Sequence, residues 1–159
     1  MIMPSRLIRV VTAACLMTAA AAPCLASDGM PASSAPTYVA GVALPQVVYY
    51  GDCGAALPTV LTIRSQFVSA YSLRVTARYD YVSSDPQLPE STILRASMAQ
   101  VASLTYMGSI DVGAEAFAYL RGGSGVLRYQ VSAVDALATA SAGTTGTVVV
   151  RPCEKLAVR

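Results

Sequence analysis

SLRVTARYDY, Ser72 to Tyr81, changes character at every residue. Leu73, Val75, Ala77, Tyr79 and Tyr81 fall on one parity, and Arg74, Thr76, Arg78 and Asp80 on the other. Successive strand side chains point to opposite faces, so this alternation predicts a half-buried β-strand. Val126 to Asp135 repeats the pattern, with Leu127, Tyr129, Val131 and Ala133 inward and Arg128, Gln130 and Ser132 outward. Leu61 and Ile63 alternate with Thr62 and Arg64 and place a third strand over 60–68.

On either side of Val126 to Asp135, 93–100, 103–111 and 114–120 are further strand candidates, and 145–151 is a β-branched run ending at Pro152-Cys153. Helix competes over 93–104 and 135–142, but neither stretch carries an apolar stripe at helical spacing. Gly51-Asp52-Cys53-Gly54 and Gly122-Gly123-Ser124-Gly125 are turn signals, and 83–89 is a loop. The small residues of 136–146 read as a loose connection. About seven short strands separated by turn signals predict an all-β antiparallel sandwich.

The run Leu127-Arg128-Tyr129-Gln130-Val131-Ser132-Ala133-Val134-Asp135 resembles the Y-x-V-x-A-x-D strand of secreted immunoglobulin-like and fibronectin type III-like domains. In that resemblance, 144–150 takes the place of the last Val/Thr-rich strand. Leu73 to Tyr79 takes that of the central strand beside Y-x-V-x-A-x-D. The likeness covers about residues 55–152. It departs from antibody-type domains: the chain has no Trp, and its cysteines lie outside the two central strands. The resemblance implies an immunoglobulin-like antiparallel β-sandwich and leaves function open.

The N-terminus reads as a targeting signal. Arg6 and Arg9 precede an uncharged apolar run, Val10 to Ala22, and Cys24-Leu25-Ala26 offers small residues at −3 and −1. This is the three-part pattern of a secretory signal peptide, cut after Ala26. A cut after Ala22 would leave Pro23 at +1. The apolar run is too short to span the ~30 Å hydrocarbon core as an anchor. Lipidation at Cys15 or Cys24 fits poorly, because Cys15 comes too early and Pro23 precedes Cys24. The expected organisation is a signal peptide (1–26), a flexible leader (27–45), the sandwich (46–155) and a tail (156–159). The protein is expected to be periplasmic or secreted, with no transmembrane segment after cleavage.

Cleavage removes Arg6, Arg9 and no acid, so the eleven basic residues fall to nine against nine acids. A formally neutral chain exerts no long-range pull on nucleic acid, and no nucleic-acid partner is expected. Cleavage also leaves two cysteines, Cys53 and Cys153, which in an exported chain predict one internal bridge. Two free thiols or a bridge between chains are the alternatives. The internal bridge closes a loop of roughly 100 residues, for which chain entropy gives up to about 4.7 kcal/mol.

Composition removes several chemistries. There is no His, hence no Ser-His-Asp or Cys-His nucleophile and no His-ligated zinc. Lys155 is the sole lysine, in the tail, and neither a phosphate loop nor CxxC is present. Asp80, Asp85 and Glu90 share one segment and have the oxygen chemistry for Ca²⁺, but not a recognised ligand spacing. The expectation is a non-enzyme, with no catalytic residue, metal or cofactor.

Two features point to binding. Arg74, Arg78 and Arg128 project outward by alternation, with Arg151 at the end of the last strand. Four guanidinium groups on one face would grip carboxylates or an anionic polymer; the plainer reading is a solvated face that resists sheet stacking. Tyr49, Tyr50 and Tyr71 near strand ends are candidate sugar or protein contacts, whereas Tyr79, Tyr106 and Tyr129 are expected in the core. The leading expectation is a small exported binding or structural module, contacting a protein or polysaccharide of the envelope or extracellular space. The alternatives are a subunit of a pilus-like polymer, with 37–50 pairing to a neighbour's sheet edge, and a small carboxylate-based hydrolase.

Overall fold

The computed structural model describes residues 35–153. The signal peptide, the leader up to residue 34 and the tail lie outside the described residues. The chain is all-β and sandwich-like. Its strands are β1 (Thr37–Leu44), β2 (Val47–Tyr50), β3 (Val60–Val68), β4 (Leu73–Ser83), β5 (Leu94–Ala102), β6 (Thr105–Asp111), β7 (Gly125–Asp135) and β8 (Ala140–Pro152). One helix, α1 (Gly113–Leu120), lies between β6 and β7.

The eight strands form one sheet in the order β1-β3-β6-β5-β4-β7-β8-β2. β5 joins its two halves: Leu94 to Met98 pair with β4, and Ala99 to Ala102 with β6. Pro45 has no N–H and separates β1 from β2. β1 runs antiparallel to β3, and β2 then pairs with β8. The β2–β8 pair is parallel, so the sheet is mixed rather than wholly antiparallel and has eight strands rather than about seven. It curls until it nearly closes: a Cβ on Gly41 of β1 would lie 2.8 Å from Thr144 Cβ of β8.

The core follows the predicted parity. Leu61, Ile63 and Phe67 of β3, Val75, Ala77, Tyr79 and Tyr81 of β4, and Leu127, Val131 and Ala133 of β7 are buried. Three expectations are corrected. Residues 37–44, assigned to the flexible leader, form β1 and ladder onto β3. Residues 114–120, read as a strand, belong to α1: Val112, Ala116 and Leu120, spaced four apart, are its buried stripe. The connection read over 136–146 shrinks to 136–139, because β8 begins at Ala140. Its glycines are steric requirements, since a Cβ on Gly143 would lie 2.6 Å from the Phe67 ring and one on Gly146 2.7 Å from Tyr129 Oη.

Cys53 and Cys153 are bonded, with Cα atoms 5.1 Å apart. The Cys153 N–H also donates to Tyr50 O at 2.9 Å. The bridge ties the loop after β2 to the end of β8.

Candidate anion-binding face

The outward parity of β4, β5 and β7 builds the candidate site. All four predicted arginines are exposed, but they do not form one cluster. Arg128 stands across from Asp80 and donates from Nε to Asp80 Oδ1 at 3.1 Å. Its Nη2 is bonded to Asp80 Oδ2 and reaches Glu90 Oε2 at 2.9 Å. The bond to Asp80, then that to Glu90, raises its already high pKa. Arg128 is therefore neutralised by two carboxylates. The same contacts engage two of the three acids considered for Ca²⁺, while the third, Asp85, accepts the Gln87 N–H.

Arg78 is placed differently. It faces Gln130 on β7 and Arg95 on β5. Directly opposed strand residues have Cβ atoms about 4.5–5.5 Å apart, and like charges so placed repel. Among the described residues, both ion pairs belong to Arg128, and no carboxylate lies within pairing distance of Arg78 or Arg95. Beside this pair is a shallow cleft of about 250 Å³ bounded by Arg78, Gln130, Ile93 and the Asp80–Arg128 pair. Ile93 is 60% exposed and gives the cleft an apolar side.

Arg74 and Arg151 stand apart. Arg74 is four residues from Arg78, about 14 Å along the strand, beside the β7–β8 turn. Arg151 lies across from Tyr49 of β2. The row Val82, Val126, Val149 and Val47 separates it from Arg128. Arg95 is the partner the sequence reading missed. The signal was present, because Leu94, Ala96 and Met98 alternate with Arg95 and Ser97, but its register against Arg78 is not a local property.

The tyrosines divide. Tyr50 is buried and donates from Oη to Gly123 O at 2.6 Å, so it is not a surface platform. Tyr49 is half-buried and Tyr71 exposed. Tyr79 and Tyr106 are in the core, with Tyr129 packed against it. Tyr79 and Tyr81 both donate to Glu115 Oε2 of α1, at 3.0 and 3.4 Å. Burial first, and then the neighbouring Glu115, pushes both phenols well above their ordinary pKa. This cluster fastens α1 to β4.

No family model and no curated protein matches the chain. Among solved structures, the cupredoxin domain of amoB from Nitrosocaldus yellowstonii is 14% identical, covering 80% of this chain and 95% of that one at a TM-score of 0.36. A chain from the structure of T cell specificity and activation by the bacterial superantigen toxic shock syndrome toxin-1 is 12% identical. It covers 73% of this chain and 99% of that one at a TM-score of 0.35. Neither likeness transfers a function.

Proposed function

We propose that the mature chain is a small exported, non-catalytic binding module. It recognises anionic groups of a protein or polysaccharide in the cell envelope or extracellular space. The observation that carries this reading is the Arg78–Arg95 pair: two guanidinium groups opposed across β4 and β5, with no carboxylate from the described residues to neutralise them. Their repulsion is relieved when a carboxylate or sulfate bridges them. Gln130 and the cleft beside Ile93 add a neutral donor and an apolar contact.

The domain is further inferred to be an immunoglobulin-like or fibronectin type III-like sandwich. Supporting this is the strand order, with β1, β3 and β6 in the places of A, B and E and β4, β7 and β8 in those of C, F and G. Export is supported by the charged, apolar and small-residue sequence of 1–26 and by the disulfide. Among the described residues no helix is long and apolar enough to cross a membrane. The segment 37–50 that a pilus-like subunit would lend to a neighbour is used within its own sheet, as β1 and β2.

The test is retention of the mature protein on immobilised alginate, an acidic polysaccharide, at low salt. Retention should be lost by 0.5 M salt, where the screening length is only a few ångströms. Arg78→Ala with Arg95→Ala should abolish it without altering the fold. Retention unchanged in that variant refutes the site. N-terminal sequencing of the exported form should begin at Ser27, and a start at Met1 refutes export.

A further inference from the structure

A second surface, on the β1–β3–β6 half of the sheet, breaks the alternation that governs β4. A strand with one face in the core and one in water carries polar residues on the outer face. β4 does so with Arg74, Thr76, Arg78 and Asp80. β1, TYVAGVAL, does not: Ala43 is buried, while its outward neighbours Val42 and Leu44 are 44% and 56% exposed. Val60 of β3, also outward, is 42% exposed. With Pro45 and Met107, these residues wall a cleft of about 510 Å³. That volume lies within the range of small-molecule sites, which are mostly apolar with a few placed polar groups.

The polar groups here are Thr62 and Arg64. Arg64 lies between Val42 on β1 and Met107 on β6, so both cross-strand neighbours are apolar. It forms no ion pair among the described residues, in contrast to Arg128 with its two carboxylates. A smaller recess, lined by Ala40, Gly41 and Gln66, continues past Arg64 on the other side. Asp111, opposite Val60, stands about 14 Å along the strand from the Arg64 row. It gives the cleft a polarity: cationic at Arg64, and unfavourable to an anion at the Val60 end.

We propose that this cleft binds a free long-chain carboxylate. The head is held by the Arg64 guanidinium, whose planar fork matches a carboxylate, with the Thr62 hydroxyl as a second donor. The acyl chain lies between Leu44 and Met107 toward Val60. Charge complementarity selects the anionic head, and the apolar outer side of β1 selects the chain. The inference is independent of the Arg78–Arg95 reading, which concerns the other half of the sheet.

Isothermal titration of the mature protein with dodecanoate, below its micellar concentration, tests it. One dodecanoate should bind per chain, and dodecyltrimethylammonium should not bind. Arg64→Glu should weaken dodecanoate binding about tenfold or more, as expected for loss of a charge-assisted contact, with alginate retention unchanged. Leu44→Asp should weaken it as well, and circular dichroism should show both variants folded. Equal binding of the cationic amphiphile, undiminished binding by Arg64→Glu, or no binding of dodecanoate overturns the proposal. So does preferential binding, at Arg64, of an extended peptide alternating valine with glutamate, which would make the surface a protein-docking site.

Discussion

Arg78 on β4 and Arg95 on β5 stand directly opposite one another, both turned away from the core and neither paired with a carboxylate of the described residues. One strand further along the sheet, the opposed pair Asp80–Arg128 is compensated, and Glu90 reaches in from the loop before β5. The face is therefore a neutralised arginine beside two uncompensated ones. Its response to mutation follows from that asymmetry.

Removing the acids should strengthen anion binding. Asp80→Asn with Glu90→Gln releases Arg128 into the cleft it shares with Arg78. Arg128→Ala leaves Asp80 without its ion-pair partner in the cleft that Arg78 lines and should weaken binding. Ion pairs this exposed contribute little to stability, so neither change should measurably destabilise the fold. Alginate retention and urea unfolding measure the two effects separately.

The disulfide should matter more to stability than any surface pair. Cys53→Ser is expected to lower the unfolding free energy by about 2–5 kcal/mol. Urea unfolding with and without reductant measures this. A variant as stable as the oxidised parent would contradict the bridge's role.

Alkaline pH should destabilise the domain through Tyr79 and Tyr81. Burial and Glu115 raise their folded pKa above the ordinary value of 10.0. Their contribution is fully present below that value and is lost as pH rises above it, because the unfolded phenols ionise first. Tyrosinate absorbance during an alkaline titration should show Tyr79 and Tyr81 among the phenols that ionise only on unfolding. Glu115→Ala should leave both hydroxyls without that acceptor and cost about 1–3 kcal/mol.

Gly143→Ala should cost about 1–3 kcal/mol, because the added methyl must displace the Phe67 ring from the core. Thermal unfolding reads the loss. A neutral result would mean that β8 moves freely against β3.

These sites also mark where the sequence was legible. β4 and β7 were readable because each has one face in the core and one in water, so parity alone assigns Val75 inward and Arg74 outward. β1 was not, because Val42 and Leu44 are apolar on the outer side and hide the alternation. α1 was misread because Ala-Glu-Ala-Phe-Ala-Tyr imitates a strand, while its helical stripe of Val112, Ala116 and Leu120 begins one residue outside it. The small residues of β8 looked like a loop because the Phe67 and Tyr129 rings they accommodate are far away in sequence. At the site, exposure of the four arginines followed from parity and the end of β8. The neutralisation of Arg128 by Glu90, 38 residues away, did not, because it depends on tertiary register.

An NMR titration of the arginine Nε–Hε signals with a short oligomer of alginate reports on the Arg78–Arg95 pair itself. Arg78 and Arg95 should shift together and saturate at one concentration, with Arg74 and Arg151 unmoved. Uniform small shifts of all the exposed arginines, or shifts at Arg74 and Arg151 without Arg78 and Arg95, would contradict it.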